Sequence, residues 1–446
     1  MKKIIAIICS VIIFYAQFTQ AKVHYDIKDP SIAATMGDLV LSTNTVKIFW
    51  HSYNHPSRPI TPPQAMQRII DDALLAQYAR QTLPSDILND TNSVGFANDV
   101  MLEDRATALI RKTYKKDLIE TIKSLPKGID SLFTFNTSLT EAKLAELMTL
   151  KSSLMIEANS KQKAAAKKIV IANIDFTQTN LTSSIKELTL WDIYRRQNVQ
   201  GRLAIHKADL NFLKGQTKQR IGSLMVLAWA EKNLNSYDYA AIKQILLNEQ
   251  QKVHLLTNMG LHADVHDDNP ALRKKAKLVS EKQIKQFYQT NKDEFKVIER
   301  IKARHIRVAS QELADQVVSE IKSGLDFSSA IKKYSIADDK NNAIPGNLGW
   351  LKRSDKKRSW LHAIAFMQQP GQVSSPFRSP QNQGDIVYEI ILADERVDGH
   401  LPYSDPTVHY EASRDIALKE LREEFTALQS KLRDNVNIHL NKAALK

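Results

Sequence analysis

The sequence predicts a multidomain chain, a mainly α-helical body together with a smaller α+β segment. Three observations point there. A chain of 446 residues exceeds what one hydrophobic core usually serves and suggests two or three domains. Helical periodicity dominates residues 22–275, with little β character, and returns after Pro406. Between these stretches, strand-like alternation and helical runs follow one another in a β-α-α-β-α-β order. The composition, 43% apolar and 25% charged, is that of an ordinary globular protein.

The N-terminus reads as a secretory signal over residues 1–21. Lys2 and Lys3 supply the positive start, Ile4 to Ala16 an apolar run, and Thr19-Gln20-Ala21 small residues for cleavage. The alternative is an uncleaved anchor, but the apolar run falls short of the roughly 20 residues that span a bilayer. No second long apolar segment follows, so the mature chain is expected to have no transmembrane segment. Cys9, the only cysteine, lies inside the apolar run. The mature chain therefore offers no disulfide, thiolate nucleophile or thiolate metal site. The net charge of +13 becomes +11 without Lys2 and Lys3. Its lysines and arginines are interspersed with acids, and export argues against a nucleic-acid partner. Peripheral proximity to an anionic membrane remains open.

Ile32 to Leu41 alternates as a short strand. His51 to Pro63 carries Pro56, Pro59, Pro62 and Pro63 and is expected to be a loop. Gln64 to Arg80 places Met66, Ile69, Ile70, Ala73 and Leu74 on one helical face, and Asp99 to Leu125 reads as one long amphipathic helix. Ser138 with Glu141 three residues later makes a capping-box pattern. Leu188 to His262 stays helical through Met225, Trp229, Ile242 and Leu246.

A second capping-box pattern, Ser280 with Gln283, opens a short helix. Ile301 to Val308 alternates as a strand, and Gln311 to Ser323 is a helix ended by Gly324. Ser328 to Tyr334 is helical, Leu348 to Leu351 strand-like, Trp360 to Met367 helical and Ile386 to Leu392 a strand. Beyond Pro406, Leu418, Leu421, Phe425, Leu428 and Leu432 form a narrow helical seam, and Val436, Ile438 and Leu440 alternate as a closing strand.

Residues 279–393 resemble the parvulin family of peptidyl-prolyl cis-trans isomerases. The matching pieces are Ala303-Arg304-His305-Ile306-Arg307-Val308, Gly324-Leu325-Asp326-Phe327, Tyr334-Ser335, Gly346-Asn347-Leu348-Gly349-Trp350, Ala365-Phe366 and Pro370-Gly371-Gln372-Val373-Ser374-Ser375-Pro376. The lead-in from Val279 to Phe295 is similar to that of SurA-, PrsA- and PpiD-type foldases. The resemblance implies an inserted α+β domain over 279–398, with a central antiparallel sheet flanked by helices. It also implies a helical chaperone-like body over 22–278 that receives the C-terminal helix and strand, 399–446. The terminal seam agrees, since 406–446 contains no partner for it.

For the site, the resemblance implies His305 as one of a central pair of histidines, with Glu389 where the second would stand. The family's cysteine or aspartate after the Tyr-Ser pair aligns with Ala337, so Asp338 substitutes only if the loop shifts register. His305, Asp338 and Glu389 are thus the expected catalytic residues. Leu348 matches a wall of the proline pocket, Leu361 or Trp360 its aromatic position, and Phe366 the aromatic closing the next helix. Trp350 is the remaining expected substrate contact. Lys357 falls near the usual pocket methionine. A Glu389 contact would raise the His305 pKa; the alternative is a decayed site in which His305 only satisfies a core hydrogen bond.

Such chemistry needs no cofactor and no metal. His262, Asp264, His266, Asp267 and Asp268 have metal-ligand chemistry, but a solvated loop is the plainer reading. The expected protein is an exported isomerase and chaperone of the periplasm or cell envelope, acting on unfolded or proline-containing polypeptides. A holdase or assembly factor without catalysis, or a scaffold subunit of an envelope machine, are the alternatives.

Overall fold

The computed structural model describes residues 22–88, 98–150, 156–262, 269–380 and 385–445. The expected signal sequence and residues 263–268 of the His262–Asp268 loop lie outside them. The chain forms two compact units. One comprises the described residues up to Ala271 with Leu421–Lys446, the other Leu272–Glu420.

In the first unit, Lys22–His24 (β1) precedes a hairpin of Ile32–Met36 (β2) and Leu39–Ser42 (β3), where the sequence suggested a single strand. Ser42 then caps the helix Thr43–Tyr53 (α1) by accepting a hydrogen bond from the Thr45 amide. This helix takes up the start of the expected 51–63 loop: the prolines begin only at Pro56, so nothing before them blocks a helix. Pro62–Thr82 (α2) starts with a Thr61/Gln64 capping box and buries Met66, Ile69, Ile70 and Leu74. The long helix expected over 99–125 is two, Asn98–Thr113 (α3) and Lys115–Lys123 (α4). They part at Tyr114, whose hydroxyl donates to Asn44 Oδ1 at 3.0 Å.

Phe133–Phe135 (β4), Val170–Ile174 (β5) and Glu187–Thr189 (β6) form a three-stranded antiparallel sheet. This β structure was not anticipated, because strands this short leave no alternation to read. Glu141–Met148 (α5) is capped by Thr140, not by Ser138, whose hydroxyl instead donates to Asn136 Oδ1 at 2.8 Å. Leu210–Asn233 (α6) and Ser236–Asn258 (α7) complete the helical core.

In the second unit the Ser280/Gln283 capping box is formed and opens Glu281–Thr290 (α8). Lys296–Val308 (β7) is a long strand followed by Gln311–Lys322 (α9) and Phe327–Tyr334 (α10). Asn347–Lys352 (β8), Trp360–Ala365 (α11), Phe377–Arg378 (β9) and Tyr388–His400 (β10) follow. The antiparallel sheet has the order β8-β7-β10-β9. Alternation on β7 and β10 gives it two apolar faces. Ile306, Val308 and Ile390 pack with Val317 of α9 and Ile331 of α10. Ile301, Ala303, Ile391 and Ala393 pack with Leu361 and Ile364 of α11. Ile284, Phe295, Leu401, Val408 and Ala412 form a third cluster that ties the lead-in helix to residues after β10. This compact unit is therefore wider than 279–398.

The helix Pro406–Asp434 (α12) carries the chain back to the first unit, where Phe425 and Leu432 pack with Leu75, Ala79 and Leu255. Asn437–Leu440 (β11) then enters the first sheet between β1 and β2, parallel to one and antiparallel to the other. The α+β unit is thus an insertion in a helical body that the C-terminal segment completes.

Candidate active site

His305 lies on β7 in phase with Ile301 and Ala303, so its side chain shares the face that packs against α11. Gly346 fixes the strand beside it. The His305 amide donates to the Gly346 carbonyl at 2.8 Å, and a Cβ on Gly346 would stand 2.3 Å from the His305 carbonyl oxygen. Only glycine allows that approach.

Two carboxylates grip the imidazole. Nδ1–H donates to Glu389 Oε2 at 2.6 Å and Nε2–H to Asp339 Oδ2 at 3.0 Å. With both carboxylates ionised, the two bonds exist together only when both nitrogens are protonated. Burial opposes that charge, but the Glu389 and Asp339 carboxylates outweigh it, and the His305 pKa stands above the ordinary histidine value. His305 is 4% exposed and Glu389 0%. The second Glu389 oxygen accepts from Arg307 Nε at 2.6 Å. The second Asp339 oxygen, Oδ1, is buried and has no hydrogen-bond partner in the protein.

The carboxylate on His305 is therefore that of Asp339, not of the expected Asp338, whose side chain is exposed. The cause is local. Ser335 Oγ accepts from the Arg307 and Ala337 amides, which pins the chain to β7, and Ala337 is buried. Residues Asp338–Asn341 then form a 3-10 turn, in which neighbouring side chains point about a third of a turn apart. Asp338 faces outward and Asp339 reaches the histidine.

Beside this cluster, Leu348, Trp360, Leu361 and Phe366 are brought into one apolar group with Leu351, Ile364 and Phe377. Trp350 is not part of it. The β8–β7 register sets Leu351 opposite Ile301 and Gly349 opposite Ala303, while Trp350 stands opposite Lys302. Alternation therefore turns Trp350 to the other face, where the Arg300 guanidinium lies 4.6 Å from its ring centroid. Lys357 is exposed, in the loop before α11. His362 is buried and stacks on Phe366, with ring centroids 4.8 Å apart.

Sequence reasoning missed Asp339, Arg307 and Phe377. Arg307 follows His305 by two residues on a strand, which alone places it on the same face. Asp339 and Phe377 carried no such signal.

The sheet, its flanking helices and the buried histidine with its apolar neighbour group define a parvulin domain: residues 279–396 match the family described as PPIC-type PPIASE domain. The chain is SurA/PrsA-like in its similarities. It is 42% identical over 71 residues to Chaperone SurA of Methylococcus capsulatus, covering 16% of this chain and 15% of that one. It is 26% identical over 192 residues to Foldase protein PrsA of Bacillus subtilis, covering 43% of this chain and 52% of the relative. The chain thus spans about half, or less, of the length of these relatives. Among solved structures, one reported for PEB4 and Cj1289, SurA-like chaperones of Campylobacter jejuni, aligns with a TM-score of 0.21 and 23% identity, over 50% of this chain and 83% of that one. Among the described residues, no helix is long and apolar enough to cross a membrane, and no cluster of side chains suits a metal ion.

Proposed function

We propose that this chain is an exported peptidyl-prolyl cis-trans isomerase and folding chaperone for envelope or secreted proteins, with a parvulin site altered from the family pattern. The observation that carries this reading is a buried His305–Glu389–Asp339 cluster on the sheet face that also holds Leu348, Leu361 and Phe366. Export is supported by the signal-like residues 1–21, and polypeptide clients by the likeness to foldases and chaperones.

Rotation about a peptide bond faces about 18–20 kcal/mol because of amide resonance. X–Pro bonds populate both isomers, and their exchange is slow enough to limit folding. A catalyst has to favour the twisted amide over both planar forms. Here the apolar group receives the proline ring and excludes water. The His305 imidazolium sets the electrostatic field at the amide.

A second reading has one observation in its favour. Both His305 nitrogens are already engaged by carboxylates, so the ring has no free donor for a substrate. In that case the domain binds polypeptide without catalysis. A protease-free prolyl-peptide exchange assay separates the two. The isomerase reading expects catalysed exchange that falls to background in His305→Ala, with suppression of client aggregation unchanged. Exchange at the uncatalysed rate in both proteins leaves the binder.

A further inference from the structure

Glu389 stands where the family pattern has a histidine, and a buried glutamate makes a demand that histidine does not. At 0% exposure, a carboxylate stays ionised only if both oxygens are bonded and its charge is countered. Arg307 meets both conditions. It is the cross-strand partner of Glu389 in the β7–β10 ladder, and its Nε–H donates to Oε1 at 2.6 Å while His305 takes Oε2 at the same distance. Its own amide is anchored by Ser335 Oγ at 3.2 Å. The charged groups in hydrogen-bond reach of one another are then two cations, His305 and Arg307, and two anions, Glu389 and Asp339. The set is balanced only with Arg307 present.

We propose that Arg307 is the positioning residue of this site: its guanidinium holds the Glu389 carboxylate turned toward His305, so that the ring is fixed between Glu389 and Asp339. Without Arg307, Glu389 keeps an unbonded buried oxygen and an uncountered charge. Its carboxylate is then no longer held toward Nδ1, and the ring loses one of the two partners that fix it. Arg307 touches no reacting atom and acts wholly through Glu389 and His305. For its activity readout the inference rests on the isomerase reading; for its ring readout it does not.

The test uses the full chain with isotope-labelled histidine, His305 being assigned by its loss in His305→Gln. The ring nitrogens are read by NMR in wild type, Arg307→Met and Arg307→Lys, and prolyl exchange is measured in each. Wild-type His305 is expected to keep both ring nitrogens protonated above the pH at which an ordinary histidine loses its second proton. Arg307→Met should lose that state and lower kcat about tenfold or more, the scale on which misplaced groups act, with KM little changed. Arg307→Lys, which restores the charge, should recover the ring signal and part of the rate. An unchanged ring signal in Arg307→Met, or no recovery in Arg307→Lys, overturns the proposal. If Arg307→Met does not fold, Arg307→Met with Glu389→Gln decides. Restored folding supports the charge-balancing role, and failure to restore it overturns that role. A wild type without catalysis, but with a ring signal that follows Arg307, removes the isomerase reading and leaves this one standing.

Discussion

Replacing Gly346 by alanine should cost far more than replacing Gly349, although both glycines have a positive φ. Their φ values are 62° and 67°, so alanine at either site carries the left-handed penalty of about 1–2 kcal/mol. They differ in what surrounds them. A Cβ at Gly349 meets nothing within 4 Å, whereas at Gly346 it would lie 2.3 Å from the His305 carbonyl oxygen and 3.0 Å from Ile331 Cδ1. The backbone oxygen cannot yield without moving β7, which adds about 1–3 kcal/mol of overpacking. Lengthening the 2.8 Å bond from the His305 amide to Gly346 adds about 1 kcal/mol more. Gly346→Ala should therefore lose about 3–6 kcal/mol and Gly349→Ala about 1–2. Hydrogen exchange of β7 under graded denaturant reads the stability of this unit alone, within the full chain. Equal losses in the two variants would mean that the approach of Gly346 to His305 does not constrain the strand, and the account of how His305 is placed would fail.

The remaining predictions concern the charge cluster and the apolar face. Glu389→Leu should destabilise the Leu272–Glu420 unit by about 3–5 kcal/mol, the usual cost of stranding one member of a buried ion pair, as measured by the same exchange experiment. Because the folded His305 pKa is raised, its protonation contributes stability that is fully present below the unfolded value of about 6.5 and is lost as pH rises through the folded pKa. The stability advantage of wild type over His305→Gln should therefore shrink from mildly acidic to alkaline pH in chemical denaturation. Leu361→Ala should raise KM for prolyl peptides severalfold, whereas Trp350→Ala, on the opposite face of the sheet, should leave steady-state exchange kinetics unchanged.

The parts of the fold that were legible in the sequence are those whose pattern is long or whose signal is local. The alternation Ile301, Ala303, His305 sufficed to place the histidine inward, and Ser280 with Gln283 marked a helix start that is formed as a capping box. Ser138 with Glu141 carried the same signal and misled, because Thr140 stands one position closer to the helix and caps it instead. The sheet of β4, β5 and β6 escaped for a different reason: its strands of three to five residues leave no alternation to read, and β4 meets β5 only across the intervening α5. At the site, the choice between Asp338 and Asp339 turned on a 3-10 turn that rotates adjacent side chains apart. Trp350 was misplaced because its two neighbours in β8, not the residue itself, set which side faces the apolar group with α11.

The C-terminal strand explains why the inserted unit belongs to one architecture with the helical body. β11 does not extend an edge; it lies between β1 and β2, so the sheet is incomplete without Asn437–Leu440. Parallel pairing with β1 forbids a tight hairpin and requires a long connection. In this chain that connection is everything from β1 onward, including the whole parvulin unit. α12 resolves the geometry by belonging to both units: Val408 and Ala412 pack with Phe295 and Leu401, and Phe425 and Leu432 with Leu75 and Leu255. Phe425 and Leu432 of the seam that looked unpartnered in the sequence thus find their partners in the helical body.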